Sequence, residues 1–205
     1  MKVMRLVVIT CESLFEGEAE VLNHLFERGM SRLHLRKPGV TKEALGRLLT
    51  GIKEDYYERM VLHDHFELLD SFPLKGVHLN RRNPAYHSRE KVSVSRSCHT
   101  LEELRQGLDR YDYVFLSPLF DSLSKAGYRQ AFLPEQLQEA REQGWINHKV
   151  VALGGITPDR IPLLRTYGFG GAAVLGALWG NFLQDKDEAA LMERWEKINS
   201  SCSRL

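Results

Sequence analysis

The stretch Arg5-Leu6-Val7-Val8-Ile9-Thr10-Cys11-Glu12-Ser13 opens the regular part of the chain, and the residues that follow its apolar run decide between two folds. Four consecutive apolar residues, three of them β-branched, read as the centre of a fully buried strand over Arg5–Thr10. A doubly wound nucleotide-binding sheet would carry a glycine-rich G-x-G-x-x-G turn directly after such a strand; this chain has Thr10-Cys11-Glu12-Ser13 there, so the nucleotide-binding sheet is set aside. Working outward, similar short runs recur at Arg32–Lys37, Met60–Asp64, Gly76–Asn80, Lys91–Ser97, Tyr113–Pro118, Lys149–Gly155 and Gly171–Ala177. Amphipathic stretches separate them at Glu18–Arg28, Lys42–Lys53, Leu101–Leu108, Pro134–Gln143, Pro158–Tyr167 and Glu188–Asn199, with weaker pieces at Phe66–Phe72 and around Pro84–Ser88. Eight strands alternating with helices predict an α/β fold of the (β/α)8 TIM-barrel type, formed as one domain over residues 1–205. The punctuation agrees: Thr100 and Thr157-Pro158 read as helix starts, and Gly29, Gly144 and Gly168 as helix stops.

Composition narrows the function. The chain has 205 residues, 43% of them hydrophobic and 27% charged, which is enough apolar material for a core without metal or disulfide staples. Its 28 Lys+Arg balance 27 Asp+Glu, so there is no cationic excess to neutralise nucleic-acid phosphates. No apolar run approaches the ~20 residues of a membrane span, and the N-terminus lacks the apolar core and cleavage site of a secretory signal. A cytoplasmic protein binding neither nucleic acid nor membrane is expected. Cys11, Cys98 and Cys202 are too far apart for a zinc or redox motif and read as reduced thiols.

In a (β/α)8 barrel the chemistry sits at the C-terminal ends of the strands. Those ends are polar here: His34-Leu35-Arg36-Lys37, His63-Asp64-His65, His78 to Asn83, Ser95 to His99, and Ser117 followed by Asp121, Ser122, Ser124 and Lys125. Gly154-Gly155 and Leu175-Gly176 expose backbone N–H groups after strands seven and eight, where barrels often hold phosphate; the same glycines also serve tight turns. Arg36, Lys37, Arg81, Arg82 and Lys125 are cations suited to an anionic substrate, with a solvated rim as the plainer reading of Arg81 and Arg82. His99 is a candidate proton shuttle and Asp64 a candidate metal ligand, alternatively a salt-bridge partner of Arg36. His34, His63, His65 and His78 read as polar core residues before they read as a metal site, and Cys98 as structural before nucleophilic. The segment Leu119–Leu133 has the composition of an active-site loop.

Taken together, HLRK at 34–37, LHDH at 62–65, GVHL at 76–79, SRSCHTLEE at 95–103, DYVFLSPLFDSLSK at 112–125, ALGGITPDRI at 152–161 and GFGGAAVLGAL at 168–178 resemble the thiamine phosphate synthase family and its relative, the TenI-type thiazole tautomerase. The resemblance spans nearly the whole chain. It implies that Arg36, Ser97, Ser122, Ser124 and Lys125 bind substrate, that Gly155, Leu175 and Gly176 cradle the phosphate of a thiazole phosphate, and that Asp64 resembles a Mg²⁺-binding aspartate. It also implies a homodimer. The sequence departs from the synthase pattern on one side only: His34 stands for a Gln, Pro38 for a Lys, His63 for an Asn, and Asn83 for a second aspartate. A neutral amide in place of that carboxylate weakens a site for a hard cation.

Because the departures lie in the pyrimidine diphosphate half, the leading expectation is a TenI-type tautomerase. In it His99 shifts a proton in a thiazole carboxylate phosphate and no metal takes part. The alternative is a divergent thiamine phosphate synthase coupling aminopyrimidine methyl diphosphate to thiazole phosphate with Mg²⁺, Arg81 and Arg82 offsetting the lost carboxylate. A third reading is a non-catalytic binder of thiamine precursors.

Overall fold

A computed structural model describes residues 4–87, 91–121 and 131–203. Eight parallel strands close into a barrel in chain order: β1 (Arg5–Ile9), β2 (Leu33–Leu35), β3 (Met60–Leu62), β4 (Gly76–Leu79), β5 (Ser93–Cys98), β6 (Tyr113–Leu116), β7 (Val150–Leu153) and β8 (Gly171–Val174). The register Arg5↔Gly171 to Val8↔Val174 between β1 and β8 completes the closure, so no sheet edge is left to template aggregation. All eight strands lie within the predicted runs except β5, which extends one residue beyond its run to Cys98.

The outer layer comprises α1 (Glu18–Glu27), α2 (Lys42–Thr50), α3 (Leu101–Gly107), α4 (Pro134–Glu142), α5 (Ile161–Thr166), α6 (Gly176–Trp179), α7 (Phe182–Asp185) and α8 (Glu188–Ser203). Two 3₁₀ segments, Glu54–Arg59 and Phe66–Asp70, flank β3. Thr100 caps α3 by accepting the Glu103 N–H at 3.1 Å. The expected cap at Thr157 fails: Thr157 to Arg160 forms a turn and α5 starts only at Ile161. Residues 84–87 form no helix, and residue 88 lies outside the described residues. Gly29, Gly144 and Gly168 do terminate helices, with φ of +89°, +74° and +82°. Among the described residues no helix is long and apolar enough to cross a membrane.

Strand alternation creates two separate packings. Outward residues such as Leu6, Val8, Leu33, Leu35, Val114, Leu116, Ala172 and Val174 join one large core with the helices, including Val21, Leu22, Leu25 and Phe26 of α1 and Trp195 of α8. Inward residues Val7, Ile9, Tyr113, Phe115, Val151 and Ala173 form a second, smaller apolar cluster inside the barrel. That cluster fills only one side. The rest of the inner wall is polar, built by His34, His63, His78, Ser95 and Ser97 on and just beyond β2 to β5, and Tyr113 stands at the seam.

Candidate active site

The polar wall is a hydrogen-bonded stack. His34 Nδ1 meets His63 Nε2 at 2.9 Å and its Nε2 meets the Tyr113 hydroxyl at 2.7 Å. His78 engages Ser95 through Nδ1 at 2.9 Å and Ser97 through Nε2 at 2.8 Å. The His63 and His78 rings stack at 4.3 Å, and His34 lies against Phe115. Burial disfavours the imidazolium, which pushes His34 and His63 well below the ordinary histidine range and His78 down to about 3. Nitrogens of His34, His63 and His78 approach within 4.8 Å of one another. Both nitrogens of His34 and of His78 are nevertheless spent on hydrogen bonds, so the trio is a neutral polar core. His65 is not part of it; it adopts φ 54° and bonds the Val40 carbonyl at 2.7 Å.

Above this floor lie the strand ends. Arg36, in phase with inward His34, pairs with Glu12 at 2.7 Å and remains half-buried. The expected Arg36–Asp64 bridge does not form. Asp64 pairs with Arg82, whose Nε and Nη2 reach Oδ1 at 3.2 and 3.1 Å, and Asn83 donates to the same oxygen at 2.9 Å. Arg82 is therefore not a free rim cation, whereas Arg81 is exposed. Lys37 corrects another expectation. It points away from the mouth and is fully buried beneath α1, with Nζ 2.6 Å from Glu18 and 2.9 Å from the Ser13 carbonyl.

The Mg²⁺ that the synthase resemblance implies does not fit these residues. Asp64 Oδ1 already accepts three N–H donors, and Asn83 turns its nitrogen, not its oxygen, toward the carboxylate. That orientation follows from its second bond, to the His63 carbonyl at 2.8 Å, because both neighbours can only accept.

His99 sits on an exposed loop between β5 and α3, with its backbone N–H on Glu103 at 2.6 Å. Its Nδ1 lies 3.0 Å from the Ser117 carbonyl. A carbonyl can only accept, so Nδ1 carries the proton and Nε2 presents a lone pair. Neighbouring Cys98 is buried, and burial pushes its thiol up to about 12, which removes it as a nucleophile.

The glycine turns follow β7 and β8, which pair through Leu153↔Ala173. Gly154 and Gly155 have φ of +103° and +61°, and a Cβ at Gly155 would lie 2.3 Å from the Asp121 carbonyl oxygen. The turn is thus wedged against the segment after β6, and Arg160 braces it by donating to the Gly155 carbonyl at 2.7 Å. Gly155→Ala is expected to cost at least about 2 kcal/mol, from left-handed strain plus displacement of that segment. A urea midpoint unchanged from wild type would show that the segment yields freely. Leu175 and Gly176 occupy the equivalent position after β8, at the start of α6. Ser122, Ser124, Lys125 and most of the expected active-site loop lie outside the described residues.

A closed (β/α)8 barrel with Gly154-Gly155 after β7, Leu175-Gly176 after β8, and Arg36 and Arg82 beyond β2 and β4 is an architecture in which enzymes work at the C-terminal ends of the strands. A family model described as thiamine monophosphate synthase matches residues 6–178, and the chain belongs to this family of thiamine-biosynthetic enzymes. It is similar to the thiamine-phosphate synthase of Geobacillus thermodenitrificans, 30% identical over 170 residues, which cover 78% of this chain and 76% of that one. The synthase of Syntrophomonas wolfei is 26% identical, covering 94% and 96%. Among solved structures, the thiamine phosphate pyrophosphorylase of Bacteroides thetaiotaomicron is 40% identical with a TM-score of 0.88 over 98% of both chains. The Pyrococcus furiosus pyrophosphorylase, 22% identical with a TM-score of 0.72, shares the fold.

Proposed function

We propose that the protein is a thiamine phosphate synthase, joining aminopyrimidine methyl diphosphate to thiazole phosphate. Kinship along nearly the whole chain with proteins named for that reaction carries this reading and favours it over the tautomerase expectation. The layout of the mouth supports it. The turns at Gly155 and Leu175-Gly176 suit the monophosphate of the thiazole, while Arg36 and Arg82 on the opposite strands suit a diphosphate. Ser97, on β5, donates to His78 Nε2, since Ser95 donates to the Val77 carbonyl and accepts from Nδ1, and it keeps its lone pairs for substrate; Ser122, Ser124 and Lys125 complete the set.

In the reaction the methylene C–O bond breaks, with its electron pair leaving on diphosphate. The thiazole nitrogen then forms the new bond to the methylene carbon. Guanidinium groups aimed at the leaving oxygens stabilise the charge that develops there. Purified protein given both substrates is expected to yield thiamine phosphate, detected by chromatography. A folded sample that binds both substrates and makes no product would overturn the proposal.

One observation favours a second reading as a tautomerase. His99 has its tautomer fixed by the Ser117 carbonyl, which leaves an exposed ring nitrogen able to take a proton from a thiazole carbon. In that case His99→Ala loses about 10²–10⁴-fold in tautomer conversion. Unchanged conversion in this variant ends the second reading.

A further inference from the structure

We infer that the Arg82 guanidinium replaces the divalent cation in this protein, so that its diphosphate subsite works without metal. This rests on the synthase reading for its substrate, but its geometry stands independently. The resemblance places a metal between two aspartates; here one is Asp64 and the other is Asn83. A dication between two carboxylates and a guanidinium beside one carboxylate both sum to zero local charge. Losing one negative charge and halving the positive one is therefore a matched exchange, and the two changes make sense only together.

The turn that carries Arg82 is built to hold it. Asn80 Oδ1 accepts the backbone N–H groups of Arg82 at 2.9 Å and of Asn83 at 3.1 Å, and the Asn80 N–H donates to the Asn83 carbonyl at 3.0 Å. The side-chain amides of Asn80 and Asn83 both donate to the His63 carbonyl, at 3.1 and 2.8 Å, tying the turn to the end of β3. Arg82 thus meets Asp64 through Nε and Nη2, with Nη2 also 3.3 Å from Oδ2. Among the described residues Nη1 takes no partner, and the side chain is 43% exposed, so an N–H edge remains for an anion. A metal entering here would have to expel a charge-assisted pair and reverse the Asn83 amide, breaking its bond to His63.

The probe is inorganic diphosphate, titrated calorimetrically into the full-length protein with either EDTA or Mg²⁺ present. Wild type is expected to bind with the same affinity in both, within about twofold, and to show no bound Mn²⁺ by electron paramagnetic resonance. Arg82→Ala should weaken diphosphate binding by about tenfold or more, as expected for loss of a guanidinium–phosphate contact. Arg82→Lys, which keeps the charge but not the fork, should fall between them. Arg82→Ala combined with Asn83→Asp should recover diphosphate binding only when Mg²⁺ is added, and should bind Mn²⁺. The inference is overturned by bound Mn²⁺ in wild type, by Mg²⁺ strengthening wild-type binding about tenfold, or by no diphosphate binding in either condition. Failure of the synthase reading looks different: metal-free diphosphate binding that depends on Arg82, with no coupled product.

Discussion

Acidification from pH 7 to pH 5 is expected to remove up to about 6 kcal/mol of folding stability, the limit reached when all three buried histidines stay neutral in the fold, at 1.36 kcal/mol per pH unit and proton. His34, His63 and His78 all lie below the ordinary value of 6.5, because the barrel interior cannot solvate an imidazolium. In the unfolded chain each titrates near 6.5. Their stabilising contribution is therefore whole above that value and is lost as the pH falls toward the native values, His78 retaining its neutral form down to about 3. Between pH 6 and pH 5 unfolding should take up as many as three protons, a slope of at most about 4 kcal/mol per unit. Domains of this kind have about 5–15 kcal/mol in all, so a loss of this size removes a large share of the total. Urea midpoints measured across this range give the slope directly. The double variant His34→Gln with His63→Asn, which restores the residues of the resembled pattern, should keep only the His78 proton and reduce the slope to about a third. A wild-type midpoint that is flat from pH 7 to pH 5, or an equal slope in the double variant, would contradict the assignment.

The same trio shows what the sequence discloses. All eight strands are legible because short apolar runs, most of them with β-branched residues, alternate regularly with helical pattern along the chain. Seven of their C-terminal ends were overestimated. Past Leu35, Leu62 and Leu79 the chain leaves the barrel while still carrying the residues that line its mouth, so polarity and register continue after ladder pairing stops. Thr157-Pro158 has the chemistry of a helix start, yet the chain makes a turn first. The wedged Gly154-Gly155 pair and the Arg160 brace set that entry, and neither is visible at the scale of capping motifs. Partner choice was the least legible feature. The sequence pairs Asp64 with Arg36 and leaves Arg82 to the rim. The selection of Arg82 depends on Asn80 and Asn83 folding the turn back onto β3, a local hydrogen-bond pattern whose signal was an Asn at each end of 80–83. In the sequence His78 reads as one more core histidine; its serine partners at 95 and 97 lie on the next strand at the alternation that faces it, a match that strand pairing alone identifies.

Lys37→Met is expected to destabilise the protein by about 3–5 kcal/mol at neutral pH, the usual cost of removing one partner of a buried ion pair. Strand alternation sends Lys37 to the helix side of β2, opposite Arg36, where α1 covers it completely. There its ammonium faces Glu18 and the Ser13 carbonyl, and the Glu18 Oε2 atom has no hydrogen-bond partner among the described residues. Deleting the lysine leaves a buried carboxylate without its paired counter-charge, only the weaker influence of Lys186 remaining. Burial already raises the Glu18 carboxyl above its ordinary value, with Lys37 the main opposing influence. Without Lys37 that rise must grow, and Glu18 will fold protonated. A carboxyl whose native pKa is raised contributes its stability below the unfolded value and loses it as pH climbs through the native one. The penalty of Lys37→Met should therefore be smallest near pH 5 and largest at pH 8, which separates a charge effect from a cavity effect, since a cavity costs the same at both. Glu18→Leu on top of Lys37→Met should recover most of the loss, because an apolar pair needs no counter-charge. Urea midpoints of the single and double variants at pH 6.5 and pH 8 test this, and a penalty independent of pH with no recovery in the double variant would mean that Lys37 stabilises through the packing of its methylene stem rather than through its pairing with Glu18.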